Sequence, residues 1–456
     1  MTITEIMAKY AESINKDSIS SETLNIARRV AFDVIGCMLA GTRERVVNLM
    51  TDHTREYGGK PMATVLGQNG FKTDLCHAAM INAMSAHVHD IDDICIAVDA
   101  HPSVAILATA ISVGEYVGAS GEDVLIAYIA GIEVASLLGQ GLFSKGYSYG
   151  WDTNGTVGVF GTTVAAAKLL KLPLEETINA LGIAASEASG LRASYGTMTK
   201  DISAGTPAYK GVFACLMAKV GFDSRRTIME DVSGLLAVSS NGADIELMKR
   251  IADERISSFV TPGILQKLYS TCRGTHSSID AALAIANKYN YKVEDIKKVV
   301  SRAQSTAAAN NRYPMPDSPM QGKFSIPYCM AIALIYKKLD MSFFFTDSEI
   351  TDKKVIELTK KGSVEIDTSF NDSIARTGAE VSVYMKDGTV YTERVNYPKG
   401  DPSNPITRDE LIMKFRKLAN FHIAEENLDD LIGMVEELDK LKDIRTLIGY
   451  LNNVMK

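Results

Sequence analysis

The sequence predicts a mainly α protein with an α+β segment set between two helical stretches. Three observations carry this. Apolar residues recur at helical spacing from residue 1 to about 267, and again from Arg408 to Met455. Alternating and β-branched stretches are confined to the interval between them. That interval also holds the clearest hairpin of the chain, in which Glu380-Val-Ser-Val-Tyr and Thr389-Val-Tyr-Thr-Glu flank an Asp387-Gly388 turn. At 456 residues the chain exceeds one simple core, so two domains are expected.

The elements follow in order. Ser20-Ser21-Glu-Thr is a cap-and-carboxylate start, followed by apolar residues at helical spacing through Ile26, Val30 and Val34, with Gly41 as the stop. Ala78 to Ala86 reads as a helix. His101-Pro102-Ser103 precedes another, from about Ala105 to Val117, with proline just inside the start and Ser103 as the expected cap. Ser120-Gly-Glu-Asp opens a helix that is apolar nearly all round and therefore buried. Thr156 to Leu170 is rich in small residues (Gly158, Gly161, Ala165, Ala166), which lets helices approach closely. Leu172-Pro173-Leu-Glu restarts a helix with proline in its first turn. A further buried helix is expected from Gly211 to Val220. In the mixed interval, Lys297 to Val300 and Ser363 to Asp367 read as strands and Pro327 to Lys338 as a helix. Pro398 to Pro405 is a punctuated linker.

Composition excludes several function classes. The net charge is −7, and no basic run suits nucleic acid. An anionic substrate would therefore need a local cationic pocket. The six cysteines are far apart and form no Cys-x-x-Cys, so free thiols in a reducing cytoplasm are expected. The start of the chain shows no basic-then-apolar leader, and no uninterrupted apolar run reaches membrane-spanning length.

Chemistry-bearing residues concentrate in a few short stretches between residues 87 and 276. Four of the seven histidines lie there. The first stretch is His87-Val-His89-Asp90-Ile-Asp92-Asp93, the second His101-Pro102-Ser103, and the third Gly150-Trp-Asp152-Thr-Asn-Gly155-Thr-Val-Gly158. Met198-Thr-Lys200 with Ala204-Gly205, and Cys272-Arg273-Gly-Thr-His276, complete the set. The His87/His89/Asp90 cluster admits a metal site, although the helix before it is not the strand expected of a metal-dependent hydrolase. His101 beside a helix start is a seat for a carboxylate. Lys200 suits a proton carrier or carboxylate anchor if buried. Arg273 can clamp a carboxylate, and His276 is a candidate general acid/base near its ordinary pKa. The Gly155-Gly158-Gly161 series lacks Gly-Lys-Ser/Thr and is not a phosphate loop.

In order and spacing these stretches resemble the MmgE/PrpD family, which contains 2-methylcitrate dehydratases, cis-aconitate decarboxylases and iminodisuccinate epimerases. The resemblance covers nearly the whole chain. It implies a large all-helical domain built from residues 1–267 and 403–456, and an α+β lid of residues 268–402, with the site in the cleft between them. It implies proton chemistry beside substrate carboxylates with no cofactor and no metal, a homodimer, and a small di- or tricarboxylate substrate. Cytoplasmic location, with no nucleic-acid or membrane partner, is expected. The residues carried over as catalytic are Lys200, His276, His101, Asp152 and Asp90. Those carried over as substrate-binding are Arg273, Tyr149, Ser103 and Asp93.

The chain departs from the family pattern at three places. Asp152 stands where the family usually has histidine, Ser203 where it has histidine, and Ile94 where the decarboxylases have threonine. Asp152 as an anion would repel a tricarboxylate, so it reads as a general base, as an acid protonated by a raised pKa, or as the partner of a substrate that carries one carboxylate fewer, or an amine or hydroxyl, at that point. A dehydratase of a small hydroxy-polycarboxylate is the first reading. A dicarboxylate epimerase comes next, helped by Tyr147 and Tyr149, and a decarboxylase after it. Readings from other classes are a metal-dependent hydrolase and an inactive scaffolding paralogue.

Overall fold

The computed structural model describes residues 1–145, 150–344, 350–371 and 378–455. The chain divides into two compact units. The first comprises Met1–Val88, Asp92–Ile264 and Arg408–Lys456, and the second His89–Ile91 and Leu265–Thr407.

Helices build the first unit, and local chemistry sets their ends. Ser20 Oγ accepts the Thr23 N–H at the start of Ser21–Gly41. Ser120 and Asp123 form a reciprocal capping box that opens Gly121–Phe143. Other caps differ from expectation. Pro173 occupies the N-cap of Leu174–Glu187 rather than its first turn. Ser103 lies inside Pro102–Val117, whose N-cap is His101, and its hydroxyl bonds Asp93 and Tyr128 instead of capping. The buried segment expected from Gly211 starts earlier, as one continuous helix Thr199–Lys219 that includes Pro207.

Gly121–Phe143 is long and apolar enough to cross a membrane by length and composition, because Glu133 is its only charge after the first turn. Its apolar window is 89% buried inside the protein, as in a core helix. Burial pushes the Glu133 carboxyl up to about 7. Ser257 Oγ and the Ser258 N–H satisfy it at 2.7 and 3.0 Å.

Small residues let the helices close on one another. A Cβ on Gly131 would lie 2.6 Å from Gly161 O, and one on Gly161 would lie 2.7 Å from Gly131 O. Gly205 is held the same way against Met80 O and the Met84 side chain, so Thr199–Lys219 lies directly against Leu75–His87. That crossing sets the last residue of one helix, His87, against the first turn of the other, which carries Lys200.

The second unit holds a four-stranded sheet. Ile296–Ala303 runs parallel to Gly362–Ile366 and antiparallel to Ala379–Met385, which pairs with Val390–Val395 across the Asp387-Gly388 turn. Alternate residues Ala379, Val381, Val383 and Met385 are buried. Val381, Val383 and Met385 pack in one core with Ile279, Ile285 and Ile332 from His276–Lys288 and Ile326–Tyr336. Each such aliphatic side chain contributes about 1.5–3 kcal/mol by burial.

Candidate active site

Four helix ends of the first unit carry the chemistry. His87 is the last residue of Leu75–His87, and His101 caps Pro102–Val117. Asp152 caps the short helix Thr153–Thr156, and Lys200 sits in the first turn of Thr199–Lys219. Asp92, fully buried, joins two of them. Its Oδ2 lies 3.0 Å from His87 Nδ1 and 2.9 Å from His101 Nδ1. Lys200 Nζ lies 2.5 Å from His87 Nε2. The two imidazoles meet edge to face, with centroids 4.9 Å apart.

Charge states follow from this geometry. Burial alone would raise the Asp92 carboxyl, but His101 and His87 hold it well below the usual carboxylate range. An ionised carboxylate only accepts, so His87 donates from Nδ1 and presents the bare lone pair of Nε2 to Lys200. Burial, then the Lys200 charge, pushes His87 down to about 4, so its ring is neutral at pH 7.

His87, Asp92 and His101 each offer a ligand atom within 4.8 Å of the others. This trio differs from the His87/His89/Asp90 cluster that the sequence suggested. Its donors already engage one another, and both ring nitrogens of His87 are occupied, one of them by the Lys200 side chain. A divalent cation would have to displace that lysine. The constellation therefore fits proton transfer better than metal binding.

Asp152 is 1% exposed. Its Oδ1 accepts from Asn154 N and Nδ2, each at 3.1 Å, whereas its Oδ2 is buried with no hydrogen-bond partner among the described residues. Burial raises its pKa against the opposing pull of Lys200, Arg192 and His101. Asn154 Oδ1 in turn accepts the His101 backbone N–H at 2.7 Å, which ties Asp152 to the helix start that carries His101. Arg192 donates to Trp151 O and to Asp99. Sequence reasoning passed over Arg192 and Asn154, since neither carries a local signal.

Asp93 and Ser103 are fully buried and lie on a polar network instead of an open surface. Ser103 Oγ donates to Asp93 Oδ2 at 2.7 Å and lies 2.9 Å from Tyr128 OH. Burial, with the Asp92 and Asp33 charges added, pushes Asp93 up to about 8. The first unit thus sets an ionised Asp92 beside a protonated Asp93. The Asp33–Lys414 pair, 2.6 Å apart and buried, belongs to the same charge field.

The second unit gathers the remaining candidates. Asp90, at a left-handed φ of 55°, is ion-paired with the fully buried Lys267, which also donates to the Asp90 carbonyl at 2.8 Å. Lys267 went unremarked in the sequence. Arg273 lies in a 3-10 turn with Nη2 3.3 Å from the buried Asp401, a residue of the punctuated segment. His276 Nε2 donates to Thr271 O at 3.3 Å, and its Nδ1 has no partner among the described residues. Burial, with Arg273 and Lys267 adding positive charge, holds His276 well below its ordinary pKa. It is a neutral acceptor at pH 7, not a group poised near neutrality. Tyr147 and Tyr149 lie outside the described residues.

Two family models match the chain. The MmgE/PrpD N-terminal domain matches residues 5–248, and the MmgE/PrpD C-terminal domain matches residues 269–440. The chain belongs to the MmgE/PrpD family. The second match extends past Thr407 into the helices that return to the first unit. A cis-aconitate decarboxylase of Mus musculus is 27% identical over 461 residues, covering 99% of this chain and 93% of that protein. One of Aspergillus terreus is 25% identical over 477 residues, covering 100% and 96%. An alkylcitrate dehydratase of Talaromyces stipitatus is 26% identical over 259 residues, 53% of each chain. An enzyme of this family, related to both decarboxylases and dehydratases, is thereby supported.

Proposed function

We propose that the protein is a cofactor-independent hydro-lyase that dehydrates a small hydroxy-polycarboxylate of the 2-methylcitrate type. The observation that carries this is Asp152. Both hydrogen bonds to its carboxyl fall on Oδ1, Oδ2 has no hydrogen-bond partner among the described residues, and burial raises the pKa, which favours the protonated form and leaves Oδ2 as the seat for that proton. Eliminating water needs an acid at the leaving hydroxyl, whereas decarboxylation needs one at the carbon that loses carbon dioxide. In this reading Lys200 takes the proton α to a carboxylate, and Asp152 Oδ2 gives its proton to the departing oxygen. His101, at the positive end of Pro102–Val117, seats a carboxylate. The raised pKa also lessens the repulsion that an anion would impose on a polycarboxylate, since it favours the neutral carboxyl.

Cis-aconitate decarboxylation is the second reading, favoured by the coverage of nearly the whole chain in the decarboxylase matches. Proton exchange in deuterated buffer, followed by NMR, separates the two. Wild type, Lys200→Ala and Asp152→Asn would be incubated with 2-methylcitrate, citrate, cis-aconitate, malate-like hydroxy acids and imino dicarboxylates. Lys200-dependent α-exchange with loss of hydroxyl supports the dehydratase. Asp152→Asn should then lower elimination about 10²–10⁴-fold, the range of general acid catalysis, while α-exchange persists. Loss of carbon dioxide from cis-aconitate, undiminished in Asp152→Asn, moves the assignment to decarboxylase. Inversion without elimination moves it to epimerase.

A further inference from the structure

We propose that Asp92 and His87 form a relay that positions Lys200 and shares its proton, making the lysine a usable base. The inference rests on the reading of Lys200 as proton carrier and deepens it. Asp92 Oδ2 is 3.0 Å from His87 Nδ1, and His87 Nε2 is 2.5 Å from Lys200 Nζ. His87 and Asp92 are fully buried and Lys200 is 9% exposed, so bulk water does not serve this proton.

The order of donors is forced. Asp92 accepts, His87 Nδ1 donates, His87 Nε2 accepts and Lys200 Nζ donates. To generate the amine, one Lys200 N–H bond breaks and one His87 Nε2–H bond forms. The imidazolium so formed lies directly on the Asp92 carboxylate. The free Nζ lone pair then takes the substrate proton; one Nζ proton passes to the carboxylate that Asp152 becomes on protonating the departing oxygen, and the His87 proton returns to Nζ, which restores the starting state. No co-reactant is needed. After burial, the Lys200 charge is the largest influence holding His87 down, so charge on one member disfavours charge on the other.

The titratable groups that bear on His87 are Lys200, Asp92 and His101, and those that bear on Lys200 include Asp152 and Tyr195, whose ring centre lies 5.9 Å from Nζ. Behind them, Asp93, Cys37 and Lys414 act on Asp92, and Asp33 acts on Asp93. His87 is a positioning residue in this scheme, since it reaches the chemistry through Lys200 alone.

Two measurements test the relay. The first needs no substrate: the ring nitrogens of ¹⁵N-histidine-labelled protein are titrated in wild type, Lys200→Met and Asp92→Asn. The relay expects a neutral, Nδ1-protonated His87 in the wild type and a clear rise of its pKa in Lys200→Met. It also expects loss of the fixed tautomer in Asp92→Asn. A His87 titration indifferent to Lys200→Met overturns the relay. The second measures α-exchange in His87→Gln and His87→Leu. Glutamine can still accept from Lys200 Nζ but cannot take its proton. Both variants should lose about 10²-fold or more in kcat with KM nearly unchanged. Retention of most of the wild-type rate by His87→Gln overturns proton sharing. If wild type shows no exchange, or exchange survives Lys200→Ala, the lysine-base reading fails. The histidine titration then still decides whether the two side chains share a proton.

Discussion

Lys414→Met is the sharpest test of how the first unit is held together. Lys414 Nζ lies 2.6 Å from Asp33 Oδ1, with side chains 5% and 1% exposed. At an effective dielectric of about 20, that separation gives a gross attraction of about 6 kcal/mol. Desolvation of both groups offsets much of it, yet removing Lys414 takes from the buried Asp33 carboxylate its partner at 2.6 Å and leaves it the field of Arg29. Such losses run about 3–5 kcal/mol. The strain is worse here because the ionised Asp92 lies in the same field. Against about 5–15 kcal/mol for a whole domain, the variant should be severely destabilised. The double variant Asp33→Asn/Lys414→Met should recover part of the loss. Guanidinium titration, read separately for each transition if the two units unfold apart, gives the number. Burial alone would lower the Lys414 pKa, but Asp33 raises it above the ordinary value. The stabilisation is therefore complete below the unfolded lysine pKa of about 10.4 and is lost as pH rises through the folded value. The gap between wild type and Lys414→Met should be flat from neutral pH upward and close only in strong base. A loss under about 1 kcal/mol, or a gap that closes near neutrality, would refute the reasoning.

Three further outcomes follow from the same structure. Asp93 is held up to about 8 by burial, so wild type carries an extra proton when folded, and its stability falls as pH rises from about 4 to that value. Asp93→Asn should flatten that slope, and equal pH dependence in denaturant titrations at pH 5 and 8 rejects it. Lys267→Met removes the buried cation paired with the Asp90 carboxylate and should cost about 3–5 kcal/mol in thermal or chemical unfolding of the second unit. Asp90→Asn/Lys267→Met should be milder, and a double variant no better than the single one argues against the pairing. Dialysis against a chelator should leave the exchange rate unchanged. Stoichiometric metal whose removal abolishes turnover would favour a metal-dependent hydrolase instead.

Features written locally were legible in the sequence. Ser20 and Ser120 announce helix starts because a hydroxyl must meet the first orphan N–H groups a few residues on. Asp387-Gly388 announces the hairpin because few residues tolerate that turn. The stretches bearing His87, His101, Asp152 and Lys200 stand out as rare chemistry among alanine-rich helices. What stayed hidden is long-range pairing. Lys200 meets His87 from 113 residues away, and Lys267 meets Asp90 from 177. No spacing rule links such residues, so Lys267 read as an ordinary lysine and His87 as half of a metal motif. Protonation state was equally hidden. His276 looked poised near neutrality until burial beside Arg273 and Lys267 placed it lower. The upward pull on Asp152 emerged only from its burial, with one carboxyl oxygen left without a hydrogen-bond partner among the described residues.

The first unit is closed by residues that follow the second unit in the chain. Arg408–Ala419 lies along Ser21–Gly41, where Phe415 stacks on Phe32 at 4.3 Å and leaves no room for a Cβ on Gly36. During synthesis at roughly 5–20 residues per second, the apolar face of Ser21–Gly41 therefore waits about 20–70 s for its cover. The second unit can acquire its sheet in that time, and the first cannot finish. Folding intermediates of this chain should accordingly expose the Phe32–Gly36 surface and be the species that chaperones bind. A chain truncated before Arg408 should accumulate in that state however sound its active-site residues are.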